Sequence, residues 1–141
     1  MNTEELLENF ALLLNWEERY RYIIDLGRKL PPLPEIHKTE DNRVRGCQSQ
    51  VWLISEEIPA ESKSKIRFTA DSDAHIVRGL LKILLVMYSE RSSEEILKVN
   101  AKEVFAQLGL DKHLSASRAN GLTAMVQRMR AAAAQALVES N

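Results

Sequence analysis

The spacing of apolar side chains changes twice along this sequence, from a helical period to a strand period and back. In the first 30 residues they recur every three or four positions, which predicts one helix over about Thr3–Leu14 and a second over about Trp16–Leu30. Pro31, Pro32 and Pro34 cannot continue the second helix, because proline lacks a backbone N–H and clashes with the preceding turn. An extended and mostly polar loop is therefore expected to follow.

Two segments in the middle of the chain have the composition of β-strands. Val51–Ser55 is a short apolar run rich in β-forming residues, and Lys65–Ala70 alternates between apolar and polar side chains. The connection between them holds Pro59 and several charges, which is typical of a hairpin loop. A third strand is predicted at Asn42–Val44. Helical spacing returns at about Ala74 and continues to the end of the sequence.

Side chains that can cap helices divide the second half of the chain. A serine, asparagine or aspartate before a helix accepts a backbone N–H that otherwise has no partner, and a glutamate three residues later completes a capping box. The predicted caps are Asp71-Ser72-Asp73 before the helix at Ala74, Ser92 with Glu95, Asn100 with Glu103 for a helix that ends at Gly109, and Ser115 or Ser117 before the last helix.

Helices placed before and after a pair of antiparallel strands predict an α+β fold rather than alternating α/β. The expected architecture is a small antiparallel sheet of about three strands with helices packed on one face. The chain has 141 residues, the length of one typical domain, and residues 1–141 are expected to form a single domain.

Composition and charge exclude several classes of protein. The formal net charge of −1 gives no overall attraction to nucleic acid or to an anionic membrane. Residues Met1–Glu5 are acidic where a signal peptide is basic. The most apolar run, Gly79–Tyr88, contains Lys82 and is shorter than the roughly 20 residues that span a bilayer. The sequence predicts a cytoplasmic protein without nucleic-acid or membrane partners.

The single cysteine, Cys47, is the main candidate for chemistry. One thiol cannot close an internal disulfide or supply the several sulfur ligands of a structural zinc site or an iron–sulfur cluster. A functional role would use one sulfur atom, as a nucleophile, a redox sensor or a sulfur carrier. Gly46 lets the backbone turn sharply beside it. Arg43 and Arg45 are near in sequence, and a cation close to the thiol would favour the thiolate, but solvated loop charges explain both arginines more simply.

The histidines and aspartates have simpler explanations than catalysis. His37, His75 and His113 are scattered without metal-ligand spacing, so no metal site is expected. A hydrolase dyad would need one of them beside Cys47, and nothing in the sequence places one there. The neighbouring carboxylates of the Asp71-Ser72-Asp73 segment are explained by helix capping.

Three arginines of the last predicted helix suggest a nucleic-acid-binding surface: Arg118, Arg128 and Arg130. The balanced net charge, and the lack of a compact helix-turn-helix before them, argue against that interpretation.

Several segments taken together resemble the SufE family of sulfur-acceptor proteins. Three of them are Gly46–Trp52, Asp71–Leu80 and Leu114–Leu122. The N-terminal segments Asn15–Tyr20 and Leu26–Pro31 also fit, so the resemblance covers nearly the whole chain in order. It implies the fold shared with IscU-type scaffold proteins, which is a small antiparallel sheet with helices on one side.

The resemblance also implies which residues act. Cys47 matches the cysteine that accepts sulfane sulfur, and Asp73 and Arg118 match positions near its loop. Gly46 and Gln48 flank the cysteine as further supporting residues. SufE-like proteins have no independent enzyme activity in this role and no cofactor of their own, since the pyridoxal phosphate belongs to the partner.

The implied partners are a cysteine desulfurase, which such proteins stimulate, and an iron–sulfur assembly scaffold of the SufBCD type. The Gln48-Ser49-Gln50 segment is closer to SufE itself than to the CsdE branch, which favours a SufS-like desulfurase over a CsdA-like one. The chain is expected to be a monomer or a weak homodimer.

A single thiol that lies between a polar loop and an apolar strand suggests a gated site. We expect the Cys47 loop to be mobile, with the thiol tucked against apolar residues at rest and presented on docking. Two alternatives stay open: a redox-reactive thiol of a sensor or small peroxidase, and an adaptor that stimulates its partner by contact alone.

Overall fold

The computed structural model describes residues 1–140. Helices come first, then a small sheet, and then further helices, as the change in apolar spacing predicts. The elements are α1 (Thr3–Ala11), α2 (Trp16–Arg28), β1 (Val51–Ile58), β2 (Lys65–Ser72), α3 (His75–Tyr88), β3 (Arg91–Ser92), α4 (Ser93–Lys98), α5 (Ala101–Leu108), α6 (Leu110–His113) and α7 (Ala116–Ser140).

The sheet has three antiparallel strands in the order β1-β2-β3. Strands β1 and β2 pair along their full length, from Val51 opposite Ser72 to Ile58 opposite Lys65. Val51 and its neighbours on one face are buried against the helices, while the other face carries exposed charges such as Arg67. This arrangement confirms the predicted α+β fold with helices on one face of a small antiparallel sheet.

The predicted third strand is wrong in its position. Strand β3 is Arg91–Ser92, which pairs with the start of β2. The Asn42–Val44 segment lies beside β1 but makes only one bridge, between Arg43 and Trp52. Gly46 has φ 92°, a left-handed conformation that turns the chain away from β1, so the pairing does not extend into a strand.

The first helix is shorter than its apolar spacing predicts. It ends at Ala11, and Leu14 is 88% exposed instead of continuing the buried stripe. The reason is the start of α2: Asn15 accepts the Glu18 N–H, and the Glu18 carboxylate accepts the Leu14 N–H. These hydrogen bonds favour a turn over a continued helix.

The caps of the later helices follow the prediction. Ser92 and Glu95 form a reciprocal capping box for α4. Asn100 accepts the Glu103 N–H at the start of α5, which ends at Gly109 with φ 80°. Of the two serines proposed for α7, Ser115 is the cap, since its hydroxyl accepts a backbone N–H of the first turn at 3.2 Å.

The predicted cap of α3 is wrong. Ala74 occupies that position and offers no side-chain acceptor. The Asp71 carboxylate is buried instead, where it accepts the Leu33 N–H at 2.9 Å and pairs with the Arg78 guanidinium. The Arg78 group also donates to the Leu30 carbonyl. Asp71 therefore ties the proline-rich loop to the sheet and to α3, because a buried carboxylate needs charged and N–H partners.

Helices α2 and α3 pack closely at two glycines. A Cβ on Gly27 would lie 2.7 Å from the Gly79 nitrogen, and a Cβ on Gly79 would overlap the Ile23 carbonyl oxygen. The missing side chains let the two backbones approach, which fixes the position of α3 under the sheet. Among the described residues, no helix combines the length and hydrophobicity needed to cross a lipid bilayer.

Candidate functional site

Cys47 lies in a loop that packs along helix α7. Its thiol is half-buried and donates to the Gly121 carbonyl, with Sγ 3.6 Å from the oxygen. A Cβ on Gly121 would lie 3.4 Å from Sγ and 3.7 Å from the Cys47 Cα. The Cys47 side chain therefore packs at ordinary van der Waals distance from α7 at this position.

The contacts with this loop come from one face of α7. Residues 118, 121, 125 and 128 are spaced by three or four positions, which aligns them along the helix. Gly46 of the loop packs against the same face of α7, since a Cβ added to it would be 3.4 Å from the Ala124 Cβ. Three of these contact residues, Gly121, Met125 and Arg128, are not among the site residues expected from the sequence. A glycine inside a long helical pattern is the signal that identifies Gly121.

A small cavity of about 30 Å³ adjoins the thiol. Its apolar wall is formed by Val77, Leu80 and Met125, each nearly fully buried. Gln48 and Arg118 are among its polar lining residues. Because roughly 10–15 Å³ of such space holds one water molecule, the cavity has room for at least one additional atom next to Sγ.

Burial, and not the neighbouring arginines, dominates the electrostatics of the thiol. Burial raises the pKa of the Cys47 thiol, and the Arg43 guanidinium opposes that rise only in part. Arg45 is largely exposed and bonded to Glu40 at 2.8 Å. Arg43 thus favours the thiolate, but the desolvation of the anion outweighs its attraction, and Arg45 is a solvated loop charge.

This raised pKa predicts a pH dependence of alkylation. Only the thiolate reacts, so the rate at Cys47 should reach half its maximum at a higher pH in the folded protein than in the denatured chain. The measurement is the iodoacetamide rate between neutral and alkaline pH, with and without denaturant. A folded-state midpoint at or below the denatured one would contradict the assignment of burial as the controlling factor.

The expected supporting residues converge on the loop. The Asp73 carboxylate accepts the Gln50 N–H at 3.0 Å, and the Asp73 N–H donates to the Gln50 carbonyl at 3.3 Å. Gln48 and Arg118 both line the cavity beside Cys47. Within residues 1–140 the Arg118 guanidinium has no carboxylate partner, so its charge is available at the cavity rim.

The other two arginines of α7 bind backbone of this chain. Arg128 donates to the carbonyls of Asp41 and Arg43, at 2.6 and 3.0 Å. Arg130 donates to the Leu97 carbonyl at 3.1 Å. These contacts explain both arginines without a nucleic-acid surface.

The histidines lie elsewhere. His113 stacks on the ring of Trp16, with centroids 4.6 Å apart, and none of the residues lining the Cys47 cavity is a histidine. In the described part of the chain, no three His, Cys, Asp or Glu side chains are grouped so that they could hold a metal ion.

Sequence comparisons relate this chain to a known family. Residues 4–133 match the sequence model of a family described as SufE, Fe-S metabolism associated domain. An uncharacterised SufE-like protein of Rhizobium meliloti strain 1021 is 43% identical over 130 residues, which cover 92% of this chain and 93% of that protein. A SufE-like protein of Rhizobium etli, also uncharacterised, is 45% identical over 127 residues, with 90% and 86% covered.

A solved structure shows the same fold. The solution structure of a hypothetical protein from Thermus thermophilus superposes with a TM-score of 0.74. It covers 96% of each chain at 24% sequence identity.

Proposed function

Because the chain belongs to the SufE family, we propose that it carries sulfur on Cys47, taking it from a cysteine desulfurase and passing it to an iron–sulfur assembly scaffold. The family match by itself supports a role in iron–sulfur metabolism. The observation that carries the proposal further is the half-buried thiol, which lies in a surface loop beside a cavity of about 30 Å³.

The transfer is a thiol exchange. The Cys47 thiolate attacks the outer sulfur of the persulfide on the desulfurase, and a new S–S bond forms on Cys47. The S–S bond of the donor breaks, and the donor cysteine leaves as a thiolate. The proton given up by Cys47 is balanced by the proton that this thiolate takes up. No oxidant is needed, because the sulfur is already at the persulfide level.

The cavity suits a persulfide. The added sulfur atom would occupy the space next to Sγ, against Val77, Leu80 and Met125. This apolar wall would shield one side of an atom that oxidises readily. The same burial disfavours the thiolate at rest, so opening of the loop would make Cys47 more reactive. Docking on the desulfurase is the proposed trigger, with Cys47 alkylation faster in the complex than in the free protein.

The partners follow the family resemblance. The proposed donor is a SufS-like desulfurase, with a CsdA-like one as the alternative, and the recipient is a SufBCD-like scaffold. A tagged Cys47→Ser variant tests the upstream step, because it can dock without accepting sulfur. Recovery of a pyridoxal-phosphate desulfurase with the variant supports the proposal, and its absence from both the variant and the wild type contradicts it.

A redox sensor is the other function considered for a lone thiol. Sensor cysteines have a low pKa and are accessible to solvent. Here burial raises the pKa of Cys47 and half covers the thiol, which favours the carrier.

Replacing Arg118 by alanine should slow sulfur uptake roughly tenfold, the equivalent of about 1.4 kcal/mol. The guanidinium lies at the cavity rim, where it would attract the incoming persulfide anion and steady the open loop. Uptake is measured as the rate of mass gain with a desulfurase and cysteine. Arg21→Ala is a matched control, because Arg21 is an exposed helical arginine paired only with Glu17. Equal uptake rates in the two variants would remove Arg118 from the mechanism.

A further inference from the structure

The Cys47 loop is fastened at both ends. Downstream, Asp73 makes two hydrogen bonds with the backbone of Gln50. Upstream, the Val44 N–H donates to the Val51 carbonyl at 2.8 Å. Between these two anchors lie residues 45–49, a span short enough to move as one unit.

The upstream anchor is a very short stretch of β-pairing between residues 42–44 and β1. The segment beside β1 forms only the single bridge between Arg43 and Trp52, and Gly46 turns away at once. A two-stranded contact of this length has little stability of its own. Two backbone hydrogen bonds to β1 and the buried Val44 side chain hold the segment on the sheet side. A further interaction holds it on the side of α7.

Arg128 provides that interaction. Two nitrogens of its guanidinium donate to two backbone carbonyls of the segment, Asp41 at 2.6 Å and Arg43 at 3.0 Å. Charge-assisted hydrogen bonds are stronger than neutral ones, and the planar fork of arginine fixes both acceptors at once. Arg128 lies seven residues after Gly121, about 10 Å along the same face of α7. The helix that contacts the thiol thus also holds residues 41–44, which form the root of the Cys47 loop.

We propose that Arg128 is a positioning residue, which holds the root of the Cys47 loop against α7 and thereby sets how often the thiol is exposed. Its importance for sulfur transfer rests on the proposed function, whereas its effect on thiol exposure does not. With the root fixed, opening is confined to residues 45–49, and the thiol returns to Gly121 after each opening.

Thiol alkylation in the isolated protein tests this. Arg128→Met keeps an unbranched apolar stem but removes the guanidinium and with it every donor. It should raise the Cys47 alkylation rate roughly tenfold at constant pH, since two charge-assisted hydrogen bonds that favour the closed loop are lost. Arg128→Lys keeps the charge without the fork and should give a smaller increase. An Arg128→Met rate within twofold of the wild type would overturn the proposal.

The matched control is Arg130→Met. Arg130 is on the same helix and also donates to a backbone carbonyl, but that carbonyl belongs to Leu97 and not to the loop. Its alkylation rate should stay within twofold of the wild type. An increase equal to that of Arg128→Met would show a general loss of stability and would contradict a specific role for Arg128.

Urea separates local opening from global unfolding. A loop that opens locally exposes little surface, so the alkylation rate of Arg128→Met should be nearly constant at low urea concentrations. A rate that rises with urea as steeply as the unfolding constant would overturn the proposal. If the variant is too unstable to measure, Arg128→Lys gives the same comparison.

Sulfur uptake separates this inference from the function on which it rests. If wild-type protein gains no sulfur from any desulfurase tested, the carrier function fails while the alkylation result stands. If the wild type gains sulfur, Arg128→Met should show a smaller acceleration of alkylation on addition of the desulfurase, because its loop is already open.

Discussion

Replacing Cys47 by serine should abolish sulfur acceptance. Wild-type protein incubated with a desulfurase, pyridoxal phosphate and cysteine is expected to gain the mass of whole sulfur atoms, and the variant is expected to gain none. A hydroxyl is far less acidic than a thiol and does not take sulfur from a persulfide. The measurement is the intact mass of both proteins under identical conditions, followed by location of the added sulfur on the wild-type peptide.

The fold should survive this substitution. Serine is close in size to cysteine, and its hydroxyl can donate to the Gly121 carbonyl as the thiol does. Equal melting temperatures of the two proteins would show that the lost activity is chemical. If the serine variant delivers as much sulfur to a scaffold as the wild type, the carrier function is excluded. If it stimulates the desulfurase fully without gaining sulfur, the protein acts as an adaptor.

Replacing Gly79 by alanine should cause the largest loss of stability, about 3 kcal/mol. The added methyl group would overlap the Ile23 carbonyl oxygen and lie 2.5 Å from the Ile23 Cγ2. Alanine favours a helix over glycine by up to about 1 kcal/mol, which is too little to offset a clash with backbone. Helices α2 and α3 would have to separate. Thermal unfolding should show a fall of roughly 10 °C in the melting temperature.

Gly121→Ala is the matched control for that variant. It also adds one methyl group to a glycine within a helix, but the nearest atom, the Cys47 Sγ, is 3.4 Å away, which is an ordinary contact. The control should retain the wild-type melting temperature or exceed it. A Gly79→Ala protein as stable as this control would contradict the close packing of α2 on α3.

Local rules account for much of the secondary structure. Apolar periodicity and cap chemistry act over three or four residues, and both can be read from the sequence. They correctly predict the capping box at Ser92, the end of α5 at Gly109 and the starts of the two long strands. The strands run on to Ile58 and Ser72, beyond the predicted ends at Ser55 and Ala70, because cross-strand pairing extends into the charged segment that predicts a loop. The local rules fail at Arg91–Ser92, because a two-residue strand carries too short a pattern to be recognised beside a helix cap.

The same limit explains the error at Asp71. A run of acidic residues before a helix predicts a cap, and the local sequence contains nothing against it. The carboxylate instead bonds to the Leu33 N–H and to Arg78, partners that become available only when the proline-rich loop folds over the sheet. The carboxylate is buried only when the proline-rich loop, β2 and α3 pack together.

The proposed sulfur acceptor follows from the sequence, because a chain with one cysteine inside a SufE-like motif offers one thiol for the reaction. The burial of that thiol and the direction of its pKa shift follow from the packing of segments that are distant in the sequence. Cys47 meets Gly121 across 74 positions of the chain, and Arg128 meets Arg43 across 85. Burial and desolvation depend on such long-range contacts, so the raised thiol pKa, the adjoining cavity and the arginine at the root of the loop arise only when α7 packs against the loop.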